Sequence, residues 1–197
     1  MSPAPTASLV RPARPEDAAR LGQIHQSGLL RQVGAGLGRA LPGEVVALFD
    51  ADAIAAQWRS AIEEPPSARH KVLVALDGEI VVGFAAIAPL EADGGESGRG
   101  ELGGAWIDAE IVALEVDPGY PGDTHAARLL NATADILAMA GAESMRIWAV
   151  RGDELRQRFL TDSDFAPLGL RRAYEVAGAE MIEDAWWAGI GDPATAE

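Results

Sequence analysis

The order of apolar segments along the chain predicts a mixed α/β fold: a mostly antiparallel sheet with one parallel βαβ crossover and helices on both faces. Two stretches carry that expectation. Strand-like runs on either side of Asp77-Gly78 read as a hairpin, because both turn positions tolerate a positive φ, and a hairpin means antiparallel pairing. Further on, a strand, a Pro/Gly turn and an apolar-striped helix lead into another strand. Such a unit closes as a right-handed parallel crossover.

Taken in order, residues 1–8 read as a disordered leader, without the basic region and apolar block of a signal peptide. Leu9 to Ala13 form a first strand. Pro15-Glu16-Asp17 then opens a helix, since proline pre-sets a helical φ and acids suit the positive dipole end. Ala18, Leu21, Ile24, His25 and Leu29 are its stripe, and Gly34, Gly36 and Gly38 are expected to break it. A second helical region covers Glu44 to Ile62, with Val45, Leu48, Phe49, Ile54, Trp58 and Ile62 on its apolar side, and Pro65-Pro66 ends it.

The hairpin occupies Lys71 to Ile87, and the acidic, glycine-rich Glu91 to Gly104 predicts a mobile loop. Ile107 to Val116 is the next strand, followed by a helix from Thr124 to Ala140 whose face carries Leu129, Leu130, Thr133, Ile136, Leu137 and Ala140. Ser144 to Val150 is a strand and Asp153 to Thr161 a short helix. Phe165 to Tyr174 and Ala179 to Trp187 close the sheet around Gly178. Residues 9–187 thus form one domain, and 188–197 read as a flexible tail.

Composition narrows the function classes. The chain has 197 residues, 48% of them hydrophobic, enough for one good core. No apolar run approaches the roughly 20 residues of a membrane span. The absence of cysteine excludes thiol catalysis, disulfides and cysteine-based metal sites, and it suits a cytoplasmic setting. A net charge of −14 argues against nucleic acid and anionic lipid as partners. It fits either plain solubility or attraction of a cationic amine.

Chemistry concentrates between Ala109 and Leu130, where an acid-bearing strand meets a Pro/Gly turn and a helix N-terminus. Unpaired amides and the positive dipole end suit a phosphate there. Strand alternation puts Glu110 on one face with Val112, Leu114 and Val116, where apolar neighbours would raise its pKa toward that of a general base. It reads equally as an edge acid hydrogen-bonded to a neighbouring strand. Asp108, on the same face, could tune Glu110 or relay its proton, whereas Glu115 faces the other way, solvated or paired.

His125 and Arg128 could meet a phosphate oxygen, or stay on the helix surface as an inert ring and an ion-pair partner. Asp123 or Thr124 could instead cap the helix and take up its amides. His25 and His70 stand apart, and no spacing resembles a metal site. Arg171-Arg172 is a solvated edge or an anion contact. Adjacent Trp186 and Trp187 must face opposite sides of a strand, one toward the core and one toward a partner.

The element order, with Ala109-Glu110-Ile111, Leu114-x-Val116-x-Pro118, Leu129-Leu130, Trp58-Arg59 and Val82-Gly83-Phe84, resembles the GNAT superfamily of acyl-CoA-dependent N-acyltransferases over residues 10–187. The resemblance implies acetyl-CoA or another acyl-CoA as co-substrate and no metal. The backbone of Leu114 and Val116 would hold pantetheine. The amides of Gly122, Asp123, Thr124, His125, Ala126 and Ala127 would hold pyrophosphate, with Arg128 as a supplementary cation. Glu110 would deprotonate an amine, of a small molecule or peptide, for direct attack on the thioester. Family members pair along their last strands, which implies a homodimer.

The sequence also departs from the family. Its pyrophosphate loop opens with Arg or Gln, then carries Gly and then Gly or Ala, where this chain has Pro121, Thr124 and Ala126, so only Ala126 fits, and Asp123 adds a negative charge. The family's asparagine and general-acid tyrosine fall on Asp153 and Leu160. These departures imply the alternative of a catalytically inactive module of the same fold, used for binding or regulation.

Overall fold

The computed structural model describes residues 8–90, 108–120 and 122–191. Most of the leader, the Glu91–Gly104 loop, Ile107, Pro121 and the end of the tail lie outside them. The strands are β1 (Ser8–Pro12), β2 (Lys71–Asp77), β3 (Ile80–Pro89), β4 (Ala109–Val116), β5 (Ser144–Val150), β6 (Ala166–Val176) and β7 (Ala179–Gly189). The helices are α1 (Ala18–Leu37), α2 (Gly43–Val46), α3 (Ala51–Glu63), α4 (Thr124–Met139) and α5 (Glu154–Asp162). The sheet runs β1-β2-β3-β4-β5-β7-β6, and only β4 and β5 are parallel. The expected class and element order are therefore present.

Two cores sandwich the sheet. On one face α4 and α5 bury Leu129, Leu130, Leu137, Phe159 and Leu160 against Leu73, Ile87, Ile111, Leu114 and Ile147. On the other, Leu21 and Ile24 of α1 and Trp58 of α3 pack on Val74, Phe84 and Ala113. Burial of that apolar stripe overrides local propensity in α1, which runs through Gly34 and Gly36 and ends only at Gly38, in the left-handed region at φ 62°. Gly22 has a packing reason to be glycine. A Cβ there would lie 2.4 Å from the Ala51 carbonyl oxygen of the crossing α3.

The second helical region is split. Asp50 leaves the helical conformation and caps α3 by accepting from the Asp52 N–H at 2.9 Å. The hairpin turn also sits one residue later than expected. Asp77 pairs with Ile80, so the loop is Gly78-Glu79, and only Gly78 takes a positive φ. At the C-terminal end, β7 extends two residues past Trp187, and residues 188 and 189 are strand.

One irregularity positions the site. The β3–β4 register jumps between Ala86↔Ala113 and Ile87↔Ile111, leaving Val112 as an extra residue, 52% exposed. A bulge reverses the face of everything beyond it. Ala109, Ile111 and Leu114 therefore share the α4 core, while Ala113 points to the α1 side. Glu110 does not share a face with Leu114 and Val116, as simple alternation required; it shares one with Glu115.

Candidate functional site

β4 and β5 pair only over Ala109–Ile111 and then diverge. The Asp117 N–H donates to Val82 O at 2.8 Å, on the β3 side. Backbone groups alternate along a strand, so Leu114 and Val116 turn theirs to the open side. A cleft of about 230 Å³ lies there, walled by Leu114, Val116, Pro118, Tyr120, Gly122, Asp123 and Ala126, with Arg31, Leu155, Arg156 and Phe159 opposite. A second cavity of about 510 Å³ opens on the α1 face between His25, Leu29 and Gln32, the bulged strand, Trp148, Arg172, Tyr174 and Glu183. Leu114, Glu115 and Arg156 line both.

Glu110 lies in the second cavity and accepts from Arg146 Nε at 2.7 Å, both side chains being largely buried (15% and 13% exposed). It is an ion-paired carboxylate rather than one isolated among apolar neighbours, because the bulge directs it across β5 instead of into the α4 core. Arg146 and Arg172 both approach the Trp148 ring, at 5.6 and 4.5 Å from its centroid, and Arg172 also binds Glu183 at 2.5 Å. Tyr174 projects into the same space, its phenol pKa pushed up by burial and by Glu183, so the hydroxyl keeps its proton. Arg171 pairs with Asp184 at 3.3 Å. Both arginines thus have internal carboxylate partners.

Glu115, expected on a solvated or paired face, is 4% exposed and paired. It accepts from Arg156 Nη2 at 2.6 Å, Gln32 Nε2 at 2.7 Å and Arg31 Nη2 at 3.4 Å. Its carboxylate lies against the α1 backbone at Gly28, where a Cβ would fall 2.3 Å from Oε2. Arg31 bonds Asp153 as well, and Asp153 caps α5 through the Arg156 N–H at 3.2 Å. Burial works against the Arg31 charge, but Glu115 and Asp153 outweigh it and raise its pKa. Arg156 Nη2 also donates to Leu114 O at 2.5 Å.

Asp108 directly precedes β4. Its Oδ2 accepts the N–H groups of Glu143 and Ser144 at 2.7 and 3.2 Å and joins the start of β4 to that of β5. At the α4 N-terminus, Gly122, Asp123 and Ala126 face the first cleft, whereas Thr124, His125, Ala127 and Arg128 are not part of its wall. The Arg128 guanidinium turns back on the helix to His125 Nδ1. Burial, then the Arg128 charge, lowers the His125 pKa, so the ring is neutral and a poor phosphate partner. Neither Asp123 nor Thr124 supplies a side-chain cap, which leaves the first-turn amides to another acceptor.

His25, isolated in sequence, accepts from Trp58 Nε1 at 3.1 Å and lies beside Phe84. Burial lowers its pKa despite the opposing charge of Glu115. His70 is bonded to Ser67. Among the described residues no three potential ligands are grouped to hold a metal, and no helix is long and apolar enough to cross a membrane. Trp186 packs on the α4-side core, and Trp187 stands opposite Arg146 on the other face. Leu160 is fully buried.

Solved structures share this architecture across nearly their whole length. One is the Salmonella typhimurium protein yncA, solved with its cofactor acetyl-CoA: TM-score 0.64, 16% identity, 97% of this chain and 98% of that one. A GCN5-related N-acetyltransferase from Rhodopseudomonas palustris matches with TM-score 0.65 and 18% identity over 94% and 98%. NAA60 of Arabidopsis thaliana, in complex with a bisubstrate analogue, matches with TM-score 0.65 and 15% identity over 93% and 98%. No family model and no curated protein matches the sequence. The likeness establishes the fold: this chain is folded as the GCN5-related N-acetyltransferases are.

Proposed function

We propose that the protein is an acyl-CoA-dependent N-acyltransferase, taking acetyl-CoA as donor and an amine of a small molecule or peptide as acceptor. The observation that carries this is the opening of β4 from β5, which turns the backbone of Leu114 and Val116 into a cleft ending at the uncapped N-terminus of α4. An amide-bearing arm suits a strand edge that β5 leaves, although Arg156 Nη2 already bonds Leu114 O, and a diphosphate suits free first-turn amides. The carboxylate of Asp123 weakens the latter site without blocking it.

The amine enters the larger cavity, where Glu110 takes up its proton. The nitrogen then attacks the thioester carbonyl at the wall common to both cavities. Backbone N–H groups of the Leu114–Val116 segment stabilise the oxyanion. Trp148 Nε1, buried without a partner among the described residues, is an available donor to the acceptor molecule. A cytoplasmic setting and a homodimer belong to the same proposal, supported by the lack of cysteine and by β6 as the edge of the sheet among the described residues.

Calorimetric titration with acetyl-CoA tests the donor. Absence of heat at millimolar coenzyme refutes the proposal and favours an inactive binding module, for which the Arg156 contact on Leu114 O is the structural support. Once an acceptor is in hand, Glu110→Gln is expected to lower kcat about 100-fold or more with acetyl-CoA affinity preserved. An unchanged kcat removes Glu110 from its role.

A further inference from the structure

Acyl transfer from a thioester ends with charge on sulfur. As the C–N bond forms and the C–S bond breaks, the electron pair of the latter leaves as a thiolate. The ammonium proton goes to Glu110 and on to water, and the thiolate later takes a proton from solvent. The reaction therefore gains from a fixed positive charge where the two cavities meet. The acidic side chain that the resemblance places on α5 falls on Leu160, which has nothing to donate.

One turn earlier on the same face of α5 stands Arg156, with a side chain only 10% exposed. Among the described residues it is the one basic side chain that lines both cavities. Its protein contacts use a single nitrogen, Nη2, on Leu114 O and Glu115 Oε1. Nε and Nη1 have no protein partner among the described residues and remain free to donate. The charges around it balance, Arg31 and Arg156 against Glu115 and Asp153, so what Arg156 offers a departing anion is its unused N–H donors beside a carboxylate that Arg31 and Gln32 also hold. A guanidinium does not give up its proton near neutral pH, so it acts by charge and hydrogen bonding rather than as an acid.

We propose that Arg156 binds and stabilises the departing coenzyme A thiolate, the free product form of the donor. This rests on the acyltransferase reading above. The C–S bond then breaks toward a pre-placed cation, and the proton reaches sulfur only from solvent.

Coenzyme A itself is the probe, with acetyl-CoA, which has no ionisable thiol, as control. The thiolate absorbance of protein-bound coenzyme A is followed as a function of pH for wild type, Arg156→Gln and Arg156→Lys. Expected is a bound thiol that ionises at least about one pH unit below the free coenzyme, a tenfold gain in thiolate below both values. Arg156→Gln should abolish that shift while still binding acetyl-CoA, and Arg156→Lys should keep part of it. A wild-type thiol that titrates like free coenzyme A, or an Arg156→Gln protein that retains the shift, overturns the assignment and leaves the acyltransferase reading intact. Failure of wild type to bind either ligand overturns both. Should Arg156→Gln not fold, the wild-type and Arg156→Lys titrations still decide.

Discussion

Replacing Gly22 by alanine pits helix propensity against packing at the crossing of α1 and α3. The new Cβ would lie 2.4 Å from Ala51 O, 2.8 Å from Ala55 Cβ and 2.9 Å from Ala55 N. None of these atoms can rotate aside, so the helices must separate. Alanine gains about 1 kcal/mol over glycine inside a helix. Overpacking costs about 1–3 kcal/mol, and contacts with backbone lie toward the upper end. The expected net loss is about 1–2 kcal/mol, or a fall of about 2–8 °C in Tm for a protein of this size. Gly34→Ala is the control, since its nearest atoms are Leu41 Cγ at 3.9 Å and Arg39 O at 4.0 Å. Only the propensity gain applies there, and Tm should rise by about 2–4 °C. Thermal unfolding followed by tryptophan fluorescence measures both. A Gly22→Ala midpoint equal to or above that of Gly34→Ala would refute close helix approach as the reason for glycine at 22.

Asp17 adds a pH dependence. Burial works against its charge, but the Arg11 guanidinium, with Oδ contacts of 2.7 and 2.9 Å, and the Arg14 N–H prevail and hold its pKa below 3.8. A depressed carboxylate contributes stability above its unfolded value and loses it as pH falls through the folded one. The stability gap between wild type and Asp17→Asn should thus be full at pH 7 and shrink below about pH 4, read from denaturant midpoints; a gap constant into strong acid would contradict this. Trp58→Ala removes part of the wall that buries His25, and since burial is what lowers its pKa, the imidazole titration followed by NMR should move up toward 6.5; an unmoved titration would contradict this. Asp108→Ala strips the acceptor from two N–H groups at the β4–β5 junction and should cost about 2 kcal/mol in urea unfolding, whereas a loss under about 0.5 kcal/mol would mean that water replaces it.

The strands, the two long helices and the crossover were readable because each announces itself within a short window: alternation at Lys71–Ile87, a 3.6-residue stripe at Thr124–Met139, proline and acids ahead of α1. The length of α1 was not. Gly34 and Gly36 argue for an end by propensity, and only burial of the stripe against β3, β4 and β7 carries the helix past them. The candidate ligand segment, Leu114 to Ala126, was legible as a strand–turn–helix unit. The partners of its charges were not, since Arg31, Gln32 and Arg156 reach Glu115 from elements far away in the chain.

Glu110 and Glu115 show where the division falls. Their identity, and the strand that holds them, are local properties of Ala109–Val116. Which way they point depends on one unpaired residue, Val112, and a bulge exists only relative to the partner strand that it slips against. By itself the sequence determined the fold class, the element order and the strand–turn–helix unit at its centre. Only the tertiary structure decided that both acids face α1, that Glu110 meets Arg146 and that Arg156 stands where the cavities join, because pair geometry between distant segments is set by sheet register and helix docking.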